Sequence, residues 1–372
     1  MKKVKLGEVA TFINGYAFKP QDWSTEGKEI IRIQNLTKTS KEINYYSGKI
    51  DKKYIVETGD ILISWSGTLG VFQWYGKTAV LNQHIFKAVF DKLDINKSYF
   101  KYVVEKGLQD AVKNTHGSTM KHLTKKYFDN IIVSYRSLKE QQKISRKLDL
   151  LSELISMRQE QLEELNLLVK SRFNEMFGDP VLNEMGWEIE TLNKIGTIGR
   201  GVSKHRPRNA SELFGGIYPF IQTGDVANSG NYIVDYHSTY SDFGLKQSKL
   251  WDKGTLCITI AANIAKTSIL AFDSCFPDSI VGFIPGERTN NMFIHYWFSY
   301  FQKILESQAP ESAQKNINLK ILSELKVILP PLSLQNEFAD FVAQVDKSQL
   351  AIQKSLEELE TLKKSLMQEY FG

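Results

Sequence analysis

Two segments of the chain carry apolar residues at alternating spacings of four and three. The first has them at positions 144, 148, 151, 155, 162, 165 and 169, and the second at 338, 342, 345, 352, 356, 359 and 366. This spacing puts the apolar side chains on one face of an α-helix and is typical of a coiled coil. Pro330-Pro331 precedes the second segment, and Gly178-Asp179-Pro180 follows the first. The pattern predicts two long helices, over residues 139–178 and 333–372.

The remaining residues show a different pattern, with short β-rich runs at 29–33, 60–64 and 255–260 separated by Gly, Asn and Ser. Short helices are expected at 97–106 and 291–305. Each is followed by a loop and then a strand, at 130–134 and 324–329. The predicted fold class is therefore α+β, with mixed, mostly β domains over residues 1–138 and 179–332.

The two halves of the chain repeat each other. At an offset of 194, Tyr102 matches Tyr296, Lys121 matches Lys315 and Gln141 matches Gln335, without a gap over roughly eighty residues. Upstream the offset drifts. There the matched pairs are Gly15 with Gly201, Ile33-Gln34 with Ile221-Gln222, and Gly59 with Gly254. Both halves therefore share one architecture and differ in their loops.

The matching helix seams predict that the two long helices bury their apolar faces against each other. Because the second domain lies between them in the chain, the pairing is expected to be antiparallel, with one globular domain near each end. A helix of about 36 residues is roughly 54 Å long, about one and a half turns of B-DNA. An alternative is that the helices dimerise the chain with a second copy.

Composition excludes several classes of protein. Hydrophobic residues make up 42% of the 372 residues and charged residues 24%, as in folded globular proteins. We find no apolar run near the roughly 18 residues of a membrane span and no apolar signal segment after Met1. Cys257 and Cys275 are too few for a zinc cluster or a disulfide framework. A reduced, cytoplasmic protein is expected.

The net charge of +5 is unevenly distributed. Residues 1–138 carry +9 and residues 181–332 carry 0, while 139–180 carry −1 and 333–372 carry −3. A basic first domain suits a polyanionic partner, although the same charge is also consistent with an ordinary solvated surface.

A search for catalytic motifs is mostly negative. Residues 70–78 have five residues rather than four between the glycines of a phosphate loop, and their bulky aromatics fit a strand better. The six histidines have no metal-ligand spacing. Pro277-Asp278 together with Glu324-Leu325-Lys326 resembles a nuclease metal site, but the first half lacks a matching set. We expect no catalytic residues and no metal site in this chain.

The loops instead offer hydrogen-bonding and cationic side chains, which suit recognition of DNA bases and phosphates. The candidate DNA-binding residues of the first copy are Asn14, Tyr16, Lys19, Arg32, Gln34, Asn35, Thr68, Asn82, Gln83, His84, Ser118, Thr119, Lys121 and His122. Those of the second copy are Arg200, Lys204, His205, Arg206, Arg208, Gln222, Thr223, Asn263, Lys266, Ser312, Gln314, Lys315 and Asn316.

Several loose motifs, in the same order in both halves, resemble the specificity subunit of type I restriction-modification systems over essentially the whole chain. The motifs lie at residues 5–10, 59–64, 66–70, 81–85, 117–123, 138–142, 178–180, 186–187 and 330–335. The second half departs from the pattern. Residues 261–265 replace the Ser-Gly-Thr-x-Gly turn, and Pro277-Asp278 replaces Asn-Gln.

The resemblance implies a sequence-specific DNA-recognition subunit without catalytic activity of its own. In this family two target recognition domains each read one half of a split, asymmetric site on double-stranded DNA. The two helices set the spacer and dock two methylation subunits. S-adenosylmethionine, ATP and Mg would be needed only by the methylation and restriction subunits. A stand-alone nuclease and a coiled-coil scaffold that does not bind DNA are the alternatives.

Overall fold

The structure is a computed structural model, and it describes residues 2–113, 124–261, 264–308 and 317–372. The chain forms two compact units. The first consists of Met1–Gln159 with Lys354–Gly372, and the second of Glu160–Gln353. Each unit therefore includes a portion of both long helices.

The described part of the first unit contains two four-stranded sheets and a separate antiparallel pair of strands. The strands of one sheet, in spatial order, are Thr11–Asn14, Ile85–Val89, Ile61–Ser64 and Gly70–Gln73. Those of the other are Tyr45–Tyr46, Lys28–Ile31, Ala79–Leu81 and Ile55–Val56. The separate pair is Lys2–Lys5 with Ile132–Tyr135. All neighbouring strands run antiparallel except Lys28–Ile31 and Ala79–Leu81, which are parallel.

Short helices connect these strands. The α-helices are Leu6–Val9, Ile33–Leu36, Lys97–Lys113 and Lys125–Asp129, and the 3-10 turns are Pro20–Asp22 and Lys52–Tyr54. The core of the unit includes Phe12, Phe86, Phe100 and Phe128, all nearly inaccessible to solvent. The rings of Phe12 and Phe128 meet edge to face, with centroids 4.7 Å apart, a favoured geometry for aromatic pairs.

The second unit repeats this layout. Its larger sheet contains, in spatial order, Gly196–Arg200, Ile280–Pro285, Leu256–Thr259, Thr267–Leu270 and Tyr232–Ile233. The smaller sheet contains Ser238–Tyr240, Phe214–Phe220, Ser274–Cys275 and Leu250–Trp251. Glu188–Thr191 pairs with Lys326–Leu329.

The helices of the second unit also follow the first. They are Leu192–Ile195, Thr223–Asn228, Asp242–Lys246, Asn291–Trp297, Phe301–Gln308 and Leu319–Glu324, with 3-10 turns at Ser211–Leu213 and Phe298–Tyr300.

The glycine-containing run that begins at Gly70 is the strand Gly70–Gln73 in the first unit, as expected from its aromatic residues.

The predicted repeat is confirmed by matching contacts. Gly15 donates its N–H to the carbonyl of Ile85, and Gly201 donates to the carbonyl of Ile280, 3.1 and 2.8 Å away. A Cβ on either glycine would collide with the backbone of the opposing loop, at Asn82 in the first unit and Pro277 in the second. Asn82 and Pro277 therefore occupy the same place in the two units.

One predicted match shifts by two residues. The sequence places Gln222 opposite Gln34, but the helix caps place it opposite Arg32. Arg32 donates its backbone N–H to the side chain of Asn35 at 3.1 Å, and Gln222 donates to Asp225 at 2.7 Å in the same way. The loop lengths differ between the copies, so identical neighbouring residues were a poor guide to register at this turn.

A buried glutamine anchors each long helix in its unit. Gln141 accepts the backbone N–H of Asn96 at 2.8 Å, and Gln335 accepts that of Asn290 at 2.9 Å. Their amide groups donate to the carbonyls of Arg136 and Pro330, both at 2.8 Å. Both side chains are completely buried, so each amide is fixed by partners that water cannot replace.

The two long helices are Leu138–Phe177 and Leu332–Phe371, each of 40 residues, which confirms the prediction to within one residue at each end. All fourteen apolar positions of the predicted stripes are buried or half-buried. The helices pair antiparallel within each unit. In the first unit Ile144 and Leu148 pack in one cluster with Met367 and Phe371, as expected for an antiparallel seam.

In the second unit the antiparallel order is set by three contacts between the helices. Arg172 binds Glu337 at 3.1 Å, and the rings of Phe173 and Phe338 meet edge to face. Further along, Gln349 donates to Asn166 at 2.9 Å. Because positions later in the first helix meet earlier positions in the second, the two segments run in opposite directions.

A histidine in the second unit links stability to pH. Burial lowers the pKa of His295 from its usual value near 6.5 to about 4, and its Nδ1 lies 2.9 Å from the hydroxyl of Thr267. Between these pH values the unfolded chain binds a proton that the folded chain does not, so stability falls as the pH drops through this window. We expect a loss of up to about 3 kcal/mol from this group.

The measurement is urea denaturation at pH 7 and pH 4.5 of wild type, His295→Gln and His237→Gln. The His295→Gln chain should lose less stability on acidification, because the titrating group is gone. The side chain of His237 is 87% exposed and lies 3.3 Å from Asp225; its substitution leaves the buried His295 in place, so the loss of stability assigned to His295 should remain. Equal pH dependence in all three chains would contradict the role given to His295.

Candidate nucleic-acid interface

Two distant segments of the first unit, residues 14–16 and 81–85, meet at one end of its sheets. Tyr16 donates its N–H to the carbonyl of Leu81 at 2.8 Å, and Gln83 donates to the carbonyl of Tyr16 at the same distance. The absence of a side chain at Gly15 permits this close approach. The predicted residues Asn14, Tyr16, Asn82, Gln83 and His84 are thereby brought together.

Trp65 joins this group, although it was not among the predicted residues. Its indole N–H donates to the side-chain oxygen of Asn14 at 3.1 Å. Its ring centroid lies 5.1 Å from that of His84, whose backbone has a positive φ of 72°. The signal in the sequence is a Trp placed directly after the buried strand Ile61–Ser64, where the chain turns toward Thr68. Thr68 itself is exposed in that turn.

The side chains of Asn82 and Gln83 differ in their hydrogen bonding. The amide oxygen of Asn82 accepts the backbone N–H of Gln83 at 2.9 Å. In contrast, the half-buried side chain of Gln83 makes no hydrogen bond with the residues that the structure describes. Its amide therefore has both a donor and an acceptor to offer, the combination that matches the major-groove edge of adenine.

The segment 32–35 serves the fold as well as the surface. The Asn35 amide accepts the backbone N–H of Arg32 and donates to the carbonyl of Glu42 at 2.8 Å. Arg32 donates to the same carbonyl at 3.2 Å, and its side chain is 15% exposed. These two side chains hold the loop at Glu42, whereas Gln34 is exposed.

Aromatic rings flank the exposed Tyr16. Its ring meets Phe18 edge to face at 5.0 Å and Tyr54 at 5.6 Å. Lys19, which follows Phe18, is exposed at the start of the turn Pro20–Asp22. This side of the first unit therefore combines rigid aromatic support with exposed polar groups.

In the second unit, the equivalent loop carries Asp278, which accepts hydrogen bonds from two arginines through two different groups. Arg200, at the end of strand Gly196–Arg200, donates its Nε–H to the backbone carbonyl of Asp278. Arg208 donates a terminal N–H to the Asp278 carboxylate at 2.8 Å. The loop between these arginines is anchored by Lys204, whose backbone N–H donates to the carbonyl of Gln247 at 3.0 Å.

The other basic residues of this loop are also in defined positions. The guanidinium of Arg206 donates to the carbonyls of Ser203 and His205, at 2.7 and 2.8 Å. The His205 ring packs edge to face on Phe243 at 5.3 Å, and its Nε2 lies 3.5 Å from Glu212. Lys204, Arg206 and Arg208 remain exposed at the residue level.

The remaining second-copy candidates lie on turns. Gln222 is exposed and precedes the helix Thr223–Asn228, in which Thr223 is the first residue. Lys266 is exposed beside strand Thr267–Leu270, and its backbone exchanges hydrogen bonds with Thr259 at 2.9 and 3.0 Å.

Some predicted DNA-binding residues lie outside the described residues. They are Ser118, Thr119, Lys121, His122, Asn263, Ser312, Gln314, Lys315 and Asn316.

The residues that could serve a metal site or act as a thiol nucleophile are the His, Cys, Asp and Glu of the described ranges. Within these ranges no three or more His, Cys, Asp and Glu side chains form a group suited to a metal ion. Burial raises the pKa of both Cys257 and Cys275, so their thiols stay protonated. Asp278, considered above as part of a nuclease site, is engaged with Arg200 and Arg208 instead. None of the helices in the described ranges is long and apolar enough to cross a membrane.

The chain is similar to known proteins over nearly its full length. A family model described as type I restriction modification DNA specificity domain matches residues 1–167 and again 184–362. The type I restriction enzyme EcoBI specificity subunit of Escherichia coli is 25% identical over 407 residues, which cover 99% of this chain and 85% of that protein.

Two solved structures share the fold. The crystal structure of a type I restriction-modification system S subunit from M. genitalium has a TM-score of 0.60 at 16% identity, covering 100% of this chain and 96% of that one. A chain from a structural study of complex assembly and conformational transition of the type I R-M system has a TM-score of 0.56 at 16% identity, covering 99% and 97%. The two family matches coincide with the two repeats of the fold. The chain therefore belongs to the type I restriction modification DNA specificity family, as a specificity subunit with two copies of the specificity domain.

Proposed function

We propose that each unit reads one half of a bipartite, asymmetric site on double-stranded DNA. The observation that carries this is the repeated loop arrangement. Gly15 in the first unit and Gly201 in the second each follow the end of a strand and lie against the opposing loop, at Asn82 and Pro277 respectively. Different polar side chains therefore stand on equivalent backbone positions in the two units. Equivalent scaffolds with unlike side chains suit two half sites of unlike sequence.

In this proposal the two long helices set the spacer between the half sites and dock two methylation subunits. Each helix contributes residues to both units, and in this proposal its length sets the separation of the half sites. The exposed faces of these helices carry large apolar residues, among them Leu150, Met157 and Leu168, which suit a protein partner.

The proposal gives this chain recognition without catalysis. Methyl transfer from S-adenosylmethionine, and ATP- and Mg-dependent cleavage, would belong to the methylation and restriction subunits, and the complex would act on DNA in the cytoplasm. The name of the Escherichia coli relative, a specificity subunit of a restriction enzyme, supports this division of labour. The predicted segments 1–138, 139–178, 179–332 and 333–372 are retained as the two recognition domains and the two spacer helices.

The test is to express the chain with its methylation subunit in a host lacking other adenine methylation and to sequence the methylome. We expect one motif with two short half sites separated by a fixed run of unread bases. Gln83→Ala should relax one base position in one half site by about tenfold to a hundredfold, the value of a bidentate base contact. The other half site should stay unchanged.

The matched control is Gln142→Ala, which removes an exposed glutamine from the long helix and should leave the motif unchanged. A contiguous motif, or methylation without sequence preference, would contradict the proposal. Loss of sequence specificity in both half sites from Gln83→Ala alone would contradict the assignment of one half site to each unit.

A further inference from the structure

We propose that Asp278 is a positioning residue that aims the Arg208 side chain at a guanine, so that the second unit reads a guanine-containing half site. This inference rests on the proposed function and adds the identity of a base. It starts from Asp278, whose carboxylate accepts a hydrogen bond from Arg208 while its backbone carbonyl accepts one from Arg200.

The geometry leaves Arg208 both fixed and available. One terminal nitrogen donates to the Asp278 carboxylate at 2.8 Å, while the Arg208 side chain remains 49% exposed. A guanidinium has five N–H donors in a planar fork, so the contact with Asp278 leaves enough donors for a second planar partner. The carboxylate removes rotamer freedom that the arginine would otherwise lose on binding.

The chemistry of the fork selects guanine. Guanine presents two acceptors, N7 and O6, in the major groove, and an arginine can bind both. Adenine presents one acceptor beside an amino group, which would face the donors of Arg208. Thymine presents one acceptor beside a methyl group, and cytosine presents a donor. Arg208 therefore has a full set of partners only on guanine.

Arg200 contacts the backbone of the same residue. Its Nε–H donates to the Asp278 backbone carbonyl, and the Arg200 residue is exposed. Because the backbone carbonyl holds this arginine, replacing the Asp278 carboxylate should release Arg208 and retain Arg200. The two contacts can thus be separated by mutation.

At the equivalent positions the first unit has amide side chains in place of an arginine–carboxylate pair. Asn14 stands at the strand end where the second unit has Arg200, and Asn82-Gln83 stands where the second unit has Pro277-Asp278. An amide side chain can pair with the donor and acceptor of adenine, whereas an arginine held in place by a carboxylate can pair with the two acceptors of guanine. The same scaffold therefore presents different chemistry in the two units.

The experiment is methylome sequencing of cells expressing the methylation subunit with wild type, Arg208→Lys, Asp278→Asn or Glu188→Gln. Wild type should show a guanine in the half site that Gln83→Ala leaves unchanged. Arg208→Lys keeps the positive charge but loses the fork, so preference for that guanine should fall about tenfold to a hundredfold. Asp278→Asn should reduce the same preference by a smaller factor, at the same base position.

Glu188→Gln is the matched control, because it breaks another arginine–carboxylate pair of the same unit, with Arg288. It should leave both half sites unchanged. Thermal unfolding of each purified chain distinguishes loss of folding from loss of base preference. A wild-type half site without guanine would overturn the inference, and this outcome needs no variant to fold. So would an unchanged base preference in Arg208→Lys. Absence of any bipartite motif in wild type would instead overturn the proposed function.

Discussion

Replacing Leu148 with alanine should destabilise the first unit by about 2–5 kcal/mol, the range measured for buried leucines elsewhere. Leu148 lies on the first long helix, is completely buried and packs in one cluster with Phe100, Met367 and Phe371. The change removes apolar contacts and leaves a cavity that neighbours from two helices would have to fill. Urea denaturation followed by circular dichroism measures the loss.

Leu150 provides a control of the same residue type on the same helix. Its side chain is 57% exposed, so Leu150→Ala should change stability by no more than about 0.5 kcal/mol. Equal destabilisation by both substitutions would show that the helix does not bury the face assigned to it. A stable Leu148→Ala chain would show that this seam contributes little to the unit.

The helices and the repeat could be predicted from sequence because both depend on periodicity. The 3.6-residue period of a helix requires apolar residues at fixed spacing wherever one face is buried, as at Leu148 and Val342. The buried amides of Gln141 and Gln335 likewise need the same partners in each copy, so their positions remain in register. These features follow from burial and hydrogen bonding, which act at every equivalent position.

The details of the candidate site could not be predicted in the same way. The pairing of Arg208 with Asp278 joins residues 70 positions apart, and the spacing within a loop does not indicate which groups meet. Asn35 illustrates the same limit. From the sequence its amide was expected to face DNA, but in the structure it caps a helix by accepting the backbone N–H of Arg32. The residue type suggested DNA contact, while the fold uses both polar atoms for itself.

The register shift at Gln222 has the same origin. Loops of unequal length displace the turn by two residues, and only the capping contacts of Arg32 and Gln222 reveal which positions correspond. Base recognition depends on such local offsets, because a side chain displaced by one residue points to another base or to none. The fold can therefore be constant between the units while the half sites differ.

The division between the two units falls within both long helices, near Gln159–Glu160 in the first and Gln353–Lys354 in the second. If these helices set the distance between the half sites, lengthening both at these points should change the gap and nothing else. Seven residues add about 10.5 Å of helix, the length of about three base pairs. A heptad also preserves the phase of the apolar seam to within about 20°.

We therefore expect a chain with residues 153–159 and 347–353 each duplicated to abandon the original motif and to methylate the same half sites with a gap longer by about three base pairs. Duplicating 347–353 alone puts the two apolar faces out of register and should abolish methylation. Methylome sequencing of both variants measures the gap and the half sites together. The loops that carry Gln83 and Arg208 are unchanged in sequence in both variants, so the bases of both half sites should stay the same. Altered bases in either half site, or an unchanged gap in the chain with both duplications, would contradict the proposal that the helices set the spacing.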